Sequence, residues 1–141
     1  MPRTTAHDVI LEILRCSDGE WIGKARLHKV FYFAHLYYAN EKSTALTEWP
    51  IVRKVNGPGI DRIDQLLQEL KDLVSVESVH VGPFPEYRYR LMERGASQRR
   101  PGDDACLAIK EAVFEFMQIN QLRVSQNVDC DNGGAGRTEG C

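Results

Sequence analysis

Apolar residues recur along this chain first at helical spacing and then at strand spacing. Val9, Ile10, Ile13 and Leu14 make one apolar face of a helix over 5–16. That helix has a hydroxyl N-cap at Thr4 or Thr5, an acid (Asp8) in its early turns, and the turn Ser17-Asp18-Gly19 at its end. Trp21 and Ile22 lead into a second helix over 23–40, where Leu27, Val30, Phe31, Ala34 and Tyr38 trace a core-facing stripe. A β-type run over 50–55 carries Pro50 at its start, which fits an edge strand. Pro58 then suits the first position of a third helix over 58–73, with Ile60, Ile63, Leu67 and Leu70 on its buried face. A hairpin is expected over 74–92, turning at Gly82-Pro83-Phe84-Pro85. Val74-Ser75-Val76 and Val79-His80-Val81 alternate in opposite phases, which predicts a bulge near Glu77-Ser78. A polar linker (96–102) precedes a last amphipathic helix (103–122) with Cys106, Ile109, Val113, Phe116 and Met117 on its apolar face. Residues 123–141 are Gly-rich and polar without periodicity and read as a disordered tail.

The class this predicts is α+β, mainly α. Helix, helix, short strand, helix and hairpin is the order of a winged helix, giving a domain over 1–95 with an added C-terminal helix.

Composition narrows the options. The 141 residues, 43% hydrophobic and 27% charged, describe an ordinary single globular domain. No apolar run approaches the length of a membrane span, and the first eight residues lack the apolar core of a secretory signal, so a cytoplasmic protein is expected. Eighteen basic against 20 acidic residues rule out a global electrostatic hold on nucleic acid. Residues 1–102 carry a balance of +2 and residues 103–141 one of −4, so only the body is mildly basic.

Motifs for chemistry are lacking. Gly57 and Gly59 do not extend to a dinucleotide fingerprint, and neither a phosphate-binding Gly-Lys-Ser/Thr loop nor a His-Glu-x-x-His pair occurs. The cysteines (Cys16, Cys106, Cys130, Cys141) form no Cys-x-x-Cys pair; Cys16 and Cys106 fall in helical patterns as small apolar residues, and Cys130 and Cys141 bracket the Gly-rich tail. His28 and His35 lie seven residues apart, about 10 Å along a helix, too far to share a metal unaided and suited to structural hydrogen bonds. The expectation is therefore no catalytic residue, no metal and no cofactor.

Residues 24–35, KARLHKVFYFAH, and 49–59, WPIVRKVNGPG, resemble two signatures of the Panacea, or SocA-like, antitoxin domain: its aromatic "LxKLLYFAH" helix, and its tryptophan strand with a following "GP" turn. The chain departs from the family at Asn56, where Tyr or His is usual. The resemblance spans about residues 5–75 and implies a protein that neutralises a toxin encoded beside it by direct binding, without chemistry.

Two surfaces follow as expectations. Five of the 12 aromatics crowd into residues 31–38, and Tyr32, His35 and Tyr37 fall off the core stripe, which makes them candidate contacts for a partner protein. The alternative is a winged-helix DNA-binding regulator using Arg53, Lys54, Arg88, Arg90 and Arg94. The third helix argues against a strong grip, because its outward positions carry four acids (Asp61, Asp64, Glu69, Asp72) and only two bases. A homodimer through the apolar stripe of the last helix is also expected.

Overall fold

The computed structural model describes residues 4–55 and 57–116. The first helix, α1 (Ala6–Cys16), starts where the sequence places a cap. The Thr5 hydroxyl accepts from the Asp8 N–H at 3.1 Å, and the Thr5 N–H donates to the Asp8 carboxylate at 3.0 Å. Two helix-end amides are satisfied reciprocally. Asp18 (φ +54°) and Gly19 (φ +85°) then reverse the chain. Val9, Ile10 and Ile13 are fully buried against α2 (Lys24–Lys42), whose own inner stripe is Leu27, Val30, Phe31 and Ala34.

Between these helices Ile22–Gly23 form a two-residue strand, β1, paired antiparallel with the hairpin strand β5 (Phe84–Leu91) through Ile22↔Tyr89 and Gly23↔Arg88. Two residues are too few to show any periodicity, so this strand is invisible in the sequence pattern. The hairpin partner β4 (Val74–Val81) completes a sheet in the order β1-β5-β4.

The expected bulge near Glu77-Ser78 is absent. The register runs unbroken from Val74↔Leu91 to Val81↔Phe84. The phase change instead marks where the hairpin leaves the body: Val74 is buried in the rung with Leu91, while in the next same-face rung Val76 is 56% exposed and only its partner Tyr89 is still buried. Beyond that point neither face packs on a core, so alternation carries no information.

The helix expected over 58–73 is corrected to α3 (Ile63–Glu69), seven residues long. Gly57–Ile60 form a strand, β3, paired with β2 (Ile51–Lys54) in a separate two-stranded sheet. Pro58 lies opposite Arg53 in that ladder and does not open a helix. The reason is tertiary: the buried Ile60 donates its N–H to His28 Nδ1 at 2.9 Å, and Gly57 takes a φ of +115°. Arg62, at φ +52°, turns the chain out of β3 into α3.

Trp49 braces this corner. Its indole N–H donates to the Asp61 carbonyl at 2.5 Å, and the Arg62 guanidinium lies 4.6 Å from its ring centroid.

After β5 come the short α4 (Glu93–Ala96) and then α5, helical from 103 to 116 where the description ends. Residues 117–122 of the expected last helix, the tail 123–141, and Met117, Cys130 and Cys141 lie outside the described residues.

The last helix packs back on the body. Ala105, Ile109, Ala112 and Val113 of α5 belong to the same apolar cluster as α1, α2 and α3. Ile109 and Val113, the centre of the stripe expected to form a dimer, are therefore buried in the chain's own core. The stretch 96–102 is tied down as well: Arg15 Nη2 donates to the carbonyls of Gly95 (3.2 Å) and Gln98 (3.4 Å), and Arg99 pairs with Asp8 at 3.2 Å. The result is an α+β fold with five helices and two small antiparallel sheets among the described residues.

Candidate interaction surfaces

The aromatic helix α2 carries the first candidate surface. With Phe31 fully buried, the other aromatics distribute around the remaining circumference. Phe33 and Tyr37 stack with centroids 6.2 Å apart, and Tyr32 lies 5.5 Å from Phe33. The Tyr37 hydroxyl donates to Glu115 of α5 at 3.1 Å, and partial burial together with that carboxylate holds its pKa above the ordinary value. Tyr32 and Tyr37 are thus half-buried.

Leu36, 38% exposed, shares the outward side of α2 with Tyr32. Sequence reasoning did not single it out, although a large apolar residue off the core stripe was the signal to follow.

His35 does not join this surface. Its Nδ1–H donates to the Phe31 carbonyl at 2.9 Å and its Nε2 accepts from the Thr47 hydroxyl at 2.7 Å. Burial pushes its pKa below the ordinary value, with the Phe31 bond opposing, so the ring is neutral and structural. His28 is lowered too, first by burial and then by Lys54 and Lys24, with Asp64 opposing, in keeping with Nδ1 as an acceptor for Ile60.

The basic residues expected for nucleic acid fall on three separate elements. Arg53 and Lys54 are exposed on β2, Arg88 and Arg90 lie on β5, and Arg94 is exposed on α4. The hairpin face holding Arg88 also holds acids: Glu77 sits directly opposite it, and Glu86 Oε1 is 3.7 Å from its guanidinium. Arg90 stacks over Trp21, 4.4 Å from the ring centroid. This face is close to neutral. α3 contributes no base at all, and its Asp64 and Glu69 are engaged by Lys24 (2.7 Å) and His7 (2.6 Å).

A third feature went unseen in the sequence. The Glu12 side chain has no exposed surface, yet it is charged. Arg100 grips it through Nη2 at 2.5 Å and Nε at 3.2 Å, and Arg15 grips it from one turn along α1. Burial pushes the carboxyl pKa up, but hydrogen bonds and charge from Arg100 and Arg15 outweigh this and hold it below the usual range. An acid inside an apolar helix face, three residues before an arginine, was the available clue.

Beside this clasp is a cavity of about 310 Å³ lined by Glu12, Cys16, Arg100 and Cys106, among others. Burial and the neighbouring Glu12 raise the Cys16 thiol to about 11 and raise Cys106 as well. Both thiols are thus held protonated beside a carboxylate whose oxygens are taken up by the two arginines. The clasp holds the fold together.

No group of three or more His, Cys, Asp or Glu among the described residues is arranged to hold a metal, and no helix among them is long and apolar enough to cross a membrane. No protein-family model, no curated protein and no solved structure matches the chain.

Proposed function

We propose that this chain is a non-catalytic protein-interaction module of the Panacea-antitoxin kind, which binds and neutralises a partner protein encoded nearby. The observation that carries this reading is the outward side of α2. Tyr32, Leu36 and the Phe33–Tyr37 stack leave aromatic and aliphatic surface accessible on a helix whose opposite side is fully buried. Half-buried aromatics of this type supply contact area with little further loss of side-chain freedom.

The experiment is inducible expression of the reading frame adjacent to this chain's gene, with and without the chain. Rescue of growth and co-purification of the two products are expected. Tyr32→Ala combined with Leu36→Ala, which leaves the core stripe intact, removes both. A neighbour that is harmless alone, or toxicity that the chain does not relieve, overturns the reading.

A second reading, a winged-helix DNA-binding regulator, has one favourable observation. The strand between α1 and α2 pairs with the far strand of a long hairpin, and the sheet order β1-β5-β4 is what a winged helix requires. The charge distribution opposes it, since the hairpin face is neutralised and α3 has no basic residue. Fluorescence anisotropy with random duplex DNA separates the two readings. The interaction module shows no binding at physiological salt, and nanomolar binding there would favour the regulator.

A further inference from the structure

The buried side of α5 leaves an opposite side that nothing among the described residues covers. Ala105, Ile109 and Ala112 face the core, and half a turn away Leu107 and Phe114 are 65% and 63% exposed. They are seven residues apart, two turns and about 10 Å along one line of the helix. Lys110 and Glu111, both exposed, lie between them. Next to this ridge a hollow of about 440 Å³ opens toward the end of α1, lined by Cys16, Leu107, Lys110, Val113 and Phe114. Large apolar side chains rimmed by charge on a helix face are the mark of an interaction site.

We infer that this face pairs with the same face of a second copy of the chain, the two α5 helices running antiparallel about a two-fold axis between Lys110 and Glu111. The sequence of the ridge is symmetric about that point. In this arrangement Leu107 meets Phe114 of the other copy, twice. Lys110 meets the opposite copy's Glu111, also twice. A two-fold interface requires a surface complementary to itself, and this order of apolar, basic, acidic, apolar meets that requirement only when the helices are antiparallel. A parallel pair would set Lys110 against Lys110 and Glu111 against Glu111. Of the other acids of α5, Asp104 is engaged by Lys42 at 2.8 Å, Glu115 accepts from the Tyr37 hydroxyl at 3.1 Å, and Asp103 lies two turns before Lys110, outside the central Lys110–Glu111 pair. The hollow beside Phe114 offers the other copy's ring a place to enter, which gives the ridge a matching recess.

One helix face is smaller than a standard interface, so the association is weak, with a dissociation constant of roughly 10–100 µM. The inference is independent of the α2 reading: it concerns another helix and another occupant, and its failure leaves the α2 experiment unaffected.

Sedimentation velocity of the full chain across that concentration range is the test, with circular dichroism as the check on folding. The wild type shows a sedimentation coefficient rising with concentration toward a dimer. Phe114→Ser abolishes the rise. Lys110→Glu and Glu111→Lys each weaken self-association by on the order of tenfold, through like charges facing across the axis. An equimolar mixture of these two variants associates again, within roughly threefold of the wild type, because each now presents the charge the other lacks. A wild type that stays monomeric throughout, as it would if another protein or the chain's own C-terminal residues cover this face, overturns the inference. So does a mixture that associates no better than its components.

Discussion

The residue that shows most about this chain is Glu12, a charge with no solvent contact held by two arginines that differ in exposure. The Arg15 side chain is 16% exposed and that of Arg100 is 58% exposed. Breaking a buried pair leaves an uncompensated charge, so Arg15→Met is expected to cost about 3 kcal/mol in urea denaturation. Arg100→Met is expected to cost less, about 1 kcal/mol, because water already screens that guanidinium. Equal losses would mean that Glu12 is reached by water.

His28 and His35 give a second prediction at this scale. Both are held neutral in the fold, with pKa values below that of the free side chain, near 6.5. The unfolded chain therefore takes up protons first as the pH falls. The stability these histidines contribute is complete above about pH 6.5 and declines below it. Glu12, lowered in the fold, adds a further loss at more acidic pH, below about 4.3. Denaturation midpoints should fall between pH 7.5 and pH 5, and His35→Gln should flatten that slope. A midpoint that rises over the interval would contradict the neutral assignment.

At the level of elements, α1, α2 and the hairpin were legible because each carries its own signal. α1 has a cap and an apolar stripe, α2 has a stripe of Leu27, Val30, Phe31 and Ala34, and β4–β5 have a turn and β-type runs. What was not legible depended on distant partners. Pro58 and Gly59 look like a helix start, yet the His28 acceptor for Ile60 on another element draws them into β3. β1 exists only because Tyr89 and Arg88 lie beside it. The surface on α2 was only partly legible: Tyr32 and Tyr37 lie off the core stripe but are half-buried, Tyr37 being hydrogen-bonded to Glu115, while His35 is taken inward by Thr47, a residue in a stretch without periodicity. The junction of α4 with the sheet supplies a test at this scale. A Cβ on Gly95 would lie 2.5 Å from the Leu73 carbonyl oxygen and 2.7 Å from Leu91 Cδ1. Gly95→Ala is therefore expected to lower stability by about 1–3 kcal/mol, measured by thermal or urea unfolding. Gly102→Ala, where a Cβ meets nothing within 4 Å, is the control and should leave stability unchanged.

At the scale of the molecule, charge among the described residues is largely paired locally and not gathered into a field. Lys24 with Asp64, Lys42 with Asp104, Arg62 with Asp61 and Arg99 with Asp8 join or brace neighbouring elements at the surface. Any residual affinity for DNA should disappear on moving from low to physiological salt, because few phosphates could be contacted at once. The bonds from Arg100 to Glu12 connect positions 88 residues apart. Of the two arginines on the hidden carboxylate, Arg15 belongs to α1 itself, whereas Arg100 comes from the far end of the described chain. The complete clasp on Glu12 needs the segment around position 100, so a fragment that stops short of Arg100 is expected to be cut by protease faster at this corner than the full chain.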